Sequence, residues 1–236
     1  MYKPKRKLRK LSNKQIAEDV KKYIRSSHEF YTTRVPELKT LSKRLHEEYD
    51  LNDFYKVFNR LWKSGYRERY IAINTLQLYN EQFDLTTWKF IKLKLKEIKS
   101  LDIADIVGSE IIGYIFLRHP ELEDEILELA RSKDLWIKRM AIVSALPFIK
   151  NKEFRNIFKL MEICIHNKEE YMQKALGWML REIGNQDPEF LKRFLIQNKN
   201  MPERTFFYAT ENLKGLRRIR KPMIFRNGFR RFFSLR

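Results

Sequence analysis

The sequence predicts an all-α fold, an α-solenoid of about six stacked helix pairs. Apolar residues recur at helical spacing through most of the chain, and no segment shows the alternation of a half-buried strand. Only 7 of the 236 residues are glycine and no glycine-rich phosphate-binding motif is present, which argues against a nucleotide-binding α/β fold. The third observation is an internal repeat of 35 residues.

The apolar pattern predicts a series of short helices in chain order. Their expected ranges are 12–25, 34–48, 52–63, 66–80, 86–99, 103–117, 121–132, 136–149, 153–166, 170–184, 188–198 and 202–213. Proline followed by an acid marks the first turn of three of them, at Pro120, Pro188 and Pro202. Asp187 precedes Pro188 and is expected to cap that helix.

Equivalent residues recur every 35 positions. One position is aromatic in five of six repeats: Tyr31, Tyr66, Leu101, Trp136, Tyr171 and Phe206. A constant period of helix pairs indicates a solenoid in which each pair buries its apolar face against the next. The tetratricopeptide pattern is missing, and the period is shorter than is usual for HEAT repeats, so we describe the repeat as HEAT-like.

A basic stripe is predicted three residues after the aromatic position. Arg34, Arg69, Arg139 and Lys174 occupy it. The residues 3, 4 and 7 positions after the aromatic residue lie within about 100° of one another around a helix, so they share a face. We expect this face to line a concave groove. The basic residues would contact phosphates there, or alternatively pair with acids of neighbouring repeats.

The net charge of +19 is concentrated at the two ends of the chain. Residues 1–25 hold ten Lys/Arg against two acids, and residues 214–236 hold nine and no acid, so the body is only +2. Such ends favour a polyanionic partner, because neutralising phosphates releases counterions. We expect three parts: a basic extension with the first helix (1–25), the repeat domain (26–213) and a basic tail (214–236).

The tail also interleaves phenylalanines with its arginines. Phe225, Phe229, Phe232 and Phe233 could stack on unpaired bases, or the segment could be a solvated tail.

Composition excludes several classes of site. The single cysteine, Cys164, rules out a disulfide framework and a cysteine-rich zinc site. The four histidines show no ligand spacing, so we expect neither metal nor cofactor. No apolar run reaches the roughly 18 residues of a membrane span, and the basic N-terminus lacks the apolar stretch of a secretory signal. We therefore expect a cytoplasmic, nucleoid-associated monomer.

Three segments are more specific than a generic repeat. They read LDIAD at 101–105, LWIKRMAI at 135–142 and QKALGWMLRE at 173–182, with RVPEL at 34–38 before them. In this order and spacing they resemble the DNA alkylation repair family, the AlkD-type alkylpurine DNA glycosylases with HEAT-like repeats. The likeness spans roughly residues 20–213.

The resemblance implies base excision of cationic N-alkylated purines, such as 3-methyladenine and 7-methylguanine, from double-stranded DNA. Asp105 falls on the family's catalytic carboxylate, and Arg139 on the arginine that grips the backbone beside the lesion. Trp178 falls on one of two tryptophans that contact the lesion nucleotide. Leu101 falls on the other, and a leucine offers apolar contact without a π face.

Each of these residues also has a structural interpretation. Asp105 could form an ion pair with Arg139, and Trp178 could belong to the core. Trp62 and Trp88 are assigned to packing, as is Trp136. Because Leu101 departs from the family pattern, the chain could be a catalytically silent member that binds damaged or branched DNA. A third alternative is a protein-interaction scaffold with tails that bind RNA.

Overall fold

The structure, a computed structural model, describes residues 35–220, without the side chains of residues 35–37 and 156. The predicted helix at 12–25, Arg34 and the chain after residue 220 lie outside the described residues. Within residues 35–220 every regular element is helical, so the all-α prediction is confirmed. The chain divides into two compact units, with the division between Leu122 and Glu123.

The first unit contains six α-helices within its described part. Their bounds are α1 Val35–Glu48, α2 Leu51–Ser64, α3 Tyr66–Leu76, α4 Leu85–Lys92, α5 Leu101–Ile106 and α6 Gly113–Arg118. A π-helical segment, Val107–Ile112, joins α5 to α6, and 3₁₀ turns occupy Gln77–Gln82, Leu95–Glu97 and Pro120–Leu122. Helix α3 packs against α1, α2 and α5.

Helix α2 shows why this unit folds as it does. Its apolar residues recur at three- and four-residue spacing, and Phe54 and Phe58 on that face are fully buried. Phe58 stacks on Trp62 with ring centroids 5.3 Å apart. The Asp50 side chain caps the helix by accepting a hydrogen bond of 2.8 Å from the backbone N–H of Asp53.

The second unit contains seven α-helices within its described part. Their bounds are α7 Glu123–Arg131, α8 Leu135–Val143, α9 Leu146–Lys150, α10 Arg155–Cys164, α11 Glu170–Gln186, α12 Pro188–Gln197 and α13 Glu203–Ala209. Helix α11 packs against α8 on one side and α13 on the other, while α7 packs against α10. First helices thus contact first helices and second helices contact second helices, as in stacked repeats.

Contacts between residues about one repeat apart confirm the stacking of helix pairs within each unit. In the first unit, the Trp62 indole donates a hydrogen bond of 2.9 Å to Glu97, 35 residues later. In the second, the rings of Trp136 and Tyr171 lie 5.5 Å apart, and those of Phe158 and Phe194 lie 5.6 Å apart. The 35-residue period of the sequence is therefore a period of side-chain contacts.

Several helix limits differ from those expected. The helix predicted at 136–149 breaks between Val143 and Leu146, because Pro147 has no N–H and its ring clashes with the carbonyl of Val143. The helix predicted at 86–99 ends at Lys92 and is followed by a 3₁₀ turn. The expected cap is confirmed, since Asp187 accepts a hydrogen bond of 2.8 Å from the N–H of Phe190.

The first residues of the basic C-terminal segment pack onto the second unit. Lys214–Ile219 is a 3₁₀ helix. The guanidinium of Arg217 lies 4.4 Å from the ring centre of Phe207, and that of Arg220 lies 5.2 Å from Phe206. Helical structure thus continues past residue 213, where the sequence places the start of the tail. Every helix of the described residues is too short or too polar to cross a bilayer.

Candidate functional site

Asp105 lies near the end of α5, where its side chain is partly exposed. Its backbone carbonyl accepts a hydrogen bond of 2.9 Å from the hydroxyl of Ser109, which also donates to Glu110 at 3.0 Å. The bond from Ser109 fixes the backbone of Asp105 itself. The carboxylate itself is on a helix rather than a loop, which favours a fixed position.

The helix widens directly after Asp105. The N–H of Gly113 donates to the carbonyl of Gly108, five residues earlier, and Val107–Ile112 forms one π-helical segment. Single π-helical turns inside α-helices are frequent at functional sites. The sequence analysis predicted an unbroken α-helix here, because apolar spacing alone does not reveal one extra residue in a turn.

Trp178 lies in α11 and is partly exposed. Its indole N–H donates a hydrogen bond of 3.1 Å to Glu182, one turn later. Glu182 is held in turn by Arg181 at 3.4 Å and by the amide of Asn185 at 3.1 Å. The indole is therefore oriented by a hydrogen-bonded carboxylate.

Arg139 is only 4% exposed, on α8. Its guanidinium donates a hydrogen bond to the backbone carbonyl of Tyr171, in the first turn of α11. The Asp134 side chain starts α8 by accepting a 2.9 Å bond from the N–H of Trp136, and this cap sets the register of Arg139. Because the guanidinium is buried, a phosphate contact by Arg139 requires it to become more accessible, and this contact stays a prediction.

Other members of the basic stripe also have protein partners. Arg69 donates to the carboxylate of Glu97 at 3.3 Å and to the carbonyl of Trp62 at 2.8 Å, so it links consecutive repeats. Lys174 forms an ion pair of 2.8 Å with Glu170 on its own helix. Arg34 lies outside the described residues. The alternative of ladders to neighbouring acids therefore applies to Arg69.

Asp105 belongs to the first unit, and Arg139 and Trp178 belong to the second. Their convergence on one groove stays a prediction of the repeat register.

Exposure at the repeated aromatic position varies: Tyr66, Leu101 and Tyr171 are exposed, Trp136 is partly exposed and Phe206 is buried. Tyr66 is 54% exposed, Leu101 40% and Tyr171 41%. The hydroxyl of Tyr66 donates a hydrogen bond to Asp102, in the first turn of α5. Partial burial, together with this carboxylate, raises the pKa of Tyr66 to about 12, so the phenol keeps its proton at neutral pH. Trp62 and Trp88, in contrast, are buried, as their assignment to packing requires.

An open pocket of about 250 Å³ lies in the first unit, between the start of α3 and the segment leading into α5. Trp62, Tyr66, Arg69, Lys99 and Ile103 are among its lining residues. Sequence reasoning missed this feature.

A local cluster of lysines was also missed. Between residues 89 and 99 there are five lysines and one acid, a local excess that an average over 26–213 conceals. All but one of these lysines are exposed, and Lys94 is partly buried: Lys89, Lys92, Lys94, Lys96 and Lys99. A count over a short window would have revealed the cluster.

No group of three or more metal-ligating side chains comes together among the residues that the structure describes.

Comparison with protein families decides the relationship. A family model described as "DNA alkylation repair enzyme" matches residues 5–213. The chain belongs to this DNA alkylation repair family. No curated protein matches the sequence significantly.

Solved structures support the family's fold. A predicted DNA alkylation repair enzyme from Enterococcus faecalis is 20% identical, with a TM-score of 0.66, and the match covers 87% of this chain and 98% of that one. AlkD2 from Streptococcus mutans is 16% identical, with a TM-score of 0.60, over 85% and 98% of the two chains. The smu.31 protein from the same species is 15% identical, with a TM-score of 0.59, over 84% and 98%. At these identities the likeness shows a shared fold.

Proposed function

We propose that this member of the DNA alkylation repair family is a DNA glycosylase that removes cationic N-alkylated purines from duplex DNA. The observation that supports the proposal most strongly is the partly exposed carboxylate of Asp105, which is held on a helix at the position that corresponds to the family's catalytic acid. Double-stranded DNA is the partner, and the chain's excess of basic residues favours it.

The chemistry is a hydrolysis. Alkylation at N3 or N7 leaves the purine positively charged, so the electron pair of the C1′–N bond departs with the base and neutralises it. Positive charge develops on the deoxyribose, as in an oxocarbenium-like glycosyl transition state. Water then adds to C1′ and loses a proton, which yields free base and an abasic site. This sequence needs neither metal nor redox cofactor.

In the proposal, Asp105 stabilises the positive charge on the sugar and orients the water. Trp178 presents an indole whose N–H is already bonded to Glu182, so its orientation is set before DNA binds. A ring face beside the cationic nucleotide would contribute about 0.5–2 kcal/mol. Arg139 donates a hydrogen bond to the first turn of α11, and its remaining N–H groups would contact a phosphate.

The test is the release of methylated base from methylated duplex DNA. Asp105→Asn keeps the shape and removes the negative charge, so the rate of release should fall by at least about 100-fold. Affinity for undamaged duplex should stay within about twofold, since no phosphate contact is removed. Free base is quantified by chromatography, with a reaction lacking protein to measure spontaneous depurination.

Asp124→Asn is the matched control, because Asp124 is an exposed acid in the first turn of α7. It should release base as the unmodified protein does. If the unmodified protein binds methylated DNA tightly and releases nothing, the enzyme proposal is overturned in favour of a silent binding protein. The exposed aliphatic side chain of Leu101 motivates that outcome.

A further inference from the structure

The pocket in the first unit lies beside an aromatic ring that is held in place. Tyr66 is at the first residue of α3, and its ring is the most exposed of the described repeated aromatic positions. The hydroxyl group of this ring donates a hydrogen bond to the carboxylate of Asp102 on α5. An ordered ring loses little further freedom when a ligand packs against it, which favours binding.

The charges around the pocket favour an anionic ligand. Glu97 is the acid among the lining residues, and its carboxylate accepts a hydrogen bond of 2.9 Å from the Trp62 indole; Asp102, which accepts one from Tyr66, is not a lining residue. Glu97 also accepts one from Arg69. The basic lining residues are Lys63, Arg69 and Lys99, and both lysines are exposed. A pocket lined by an exposed tyrosine and by more basic residues than acids matches a sugar and its neighbouring phosphates.

The same pairing recurs along the chain. A lysine stands three residues before the repeated aromatic position at Lys63, Lys133 and Lys168, followed by Tyr66, Trp136 and Tyr171. All three lysines are exposed. The pairing thus occurs in three of the six repeats, with Ile98 in place of a lysine between the first and second of them, and such recurrence suits an extended polymer better than it suits a small molecule.

We propose that Tyr66, Lys63 and Lys99 form a subsite for the sugar–phosphate backbone of duplex DNA. The Tyr66 ring packs against a deoxyribose, and the two lysines contact the phosphates on either side. The subsite rests on the proposed function for its choice of ligand. It precedes the helix that carries Asp105 by one repeat.

The lysines are tested by the salt dependence of binding to an undamaged duplex. Lys63→Gln together with Lys99→Gln should flatten the slope of log affinity against log salt by about 1.8, since each phosphate contact contributes about 0.9. The matched control is Lys150→Gln with Lys152→Gln, two exposed lysines of the second unit outside the repeated pairing. Equal slopes for the two double variants would overturn the phosphate contacts.

The ring is tested by two substitutions. Tyr66→Ala should weaken binding about 3- to 10-fold without changing the salt slope, because a sugar contact carries no charge. Tyr66→Phe keeps the ring and should retain most of the affinity. Ile196→Ala, at a 45% exposed position on α12, is the control and should bind normally. If Tyr66→Ala melts early, Tyr66→Leu replaces it. Unchanged affinity in the folded variant would overturn the ring contact.

These measurements separate the subsite from the proposed function. Binding is measured on undamaged DNA, whereas base release is measured on methylated DNA. If the unmodified protein releases no base but the lysine and tyrosine variants bind as expected, the glycosylase proposal fails and the subsite stands. If the protein releases base and the variants bind like their controls, the subsite alone fails.

Discussion

Cys164, the single cysteine, is buried at the end of α10, where its side chain is 2% exposed. Its sulfur donates a weak hydrogen bond of 3.6 Å to the carbonyl of Ala130. Burial raises the pKa of this thiol to about 11, although the charge of Lys138 acts in the opposite direction. Since the thiolate is the reactive form, the folded protein holds an unreactive cysteine at neutral pH.

We therefore expect Cys164 to resist labelling. A maleimide at neutral pH should modify the folded protein at least about 100-fold more slowly than the protein in denaturant. Because the folded state binds this proton more tightly than the unfolded chain, stability should also fall as the pH rises from 9.0 to about 11. Mass spectrometry of timed samples gives the labelling rate. Labelling as fast in buffer as in denaturant would contradict the burial.

At the scale of single residues, the sequence predicts which residues are candidates for the site better than it predicts the burial and contacts of their side chains. Its repeat spacing selects Asp105 and Trp178, and both side chains are partly exposed. It also selects Arg139, but the buried guanidinium is bonded to the carbonyl of Tyr171, 32 residues away. A backbone carbonyl is present at every residue, so no sequence pattern marks it as the partner of an arginine. Burial of Arg139 could therefore not be foreseen.

Between helices, the close contact of α11 with α13 depends on a missing side chain. A Cβ added at Gly177 would lie 2.4 Å from the Cβ of Tyr208 and 3.0 Å from the carbonyl oxygen of Thr205. One of these atoms is a backbone oxygen and the other is a Cβ atom, so rotation of a side chain cannot relieve either contact. Glycine at this position allows two consecutive second helices to approach.

Gly177→Ala is expected to destabilise the protein. Overpacking should cost about 1–3 kcal/mol, larger than the gain of up to about 1 kcal/mol from the better helix propensity of alanine. Gly215→Ala is the control, because no atom lies within 4 Å of a Cβ at that position. Denaturant unfolding of both variants measures the difference. A Gly177→Ala protein as stable as the control would show that the helices can separate at no cost.

Sequence patterns predict the helices well and their interruptions less well. The apolar period locates nearly every helix of the described chain, and Asp187 caps α12 as its sequence context predicts. The break before α9 follows from Pro147, whose effect a stricter use of proline rules would have found. No residue type in the sequence indicates the π-helical segment at Val107–Ile112, because such a segment is defined by backbone N–H groups that donate to the carbonyl five residues earlier instead of four.

For the whole molecule, charge rather than shape determines the response to salt. Of the nine basic residues in 214–236, four precede residue 221, and two of these, Arg217 and Arg220, pack on phenylalanine rings of the second unit. Removing the whole segment would therefore disturb packing as well as charge. Residues 221–236 still hold five basic side chains and no acid.

A chain ending at Arg220 is expected to bind duplex DNA with a flatter salt slope. The slope should fall by about 0.9 for each removed charge that contacts a phosphate. A chain ending at Leu213 should in addition melt earlier, because it loses the contacts of Arg217 and Arg220. Thermal unfolding and salt titrations measure the two effects separately. An unchanged slope in the longer truncated chain would exclude the last 16 residues from DNA binding.

The wide turn after Asp105 also sets the phase of the helix that follows. Each residue advances an α-helix by about 100°, so one residue accommodated in a broader turn rotates everything beyond it relative to an uninterrupted helix. Ile115 and Phe116 are buried in that rotated position. Regular α-helical winding of the same residues would instead turn both side chains by about 100°. Deleting a single residue between 107 and 112 would restore ordinary winding and leave Ile115 and Phe116 facing the core, so the broad turn lets the chain keep one extra residue without rotating the helix that follows.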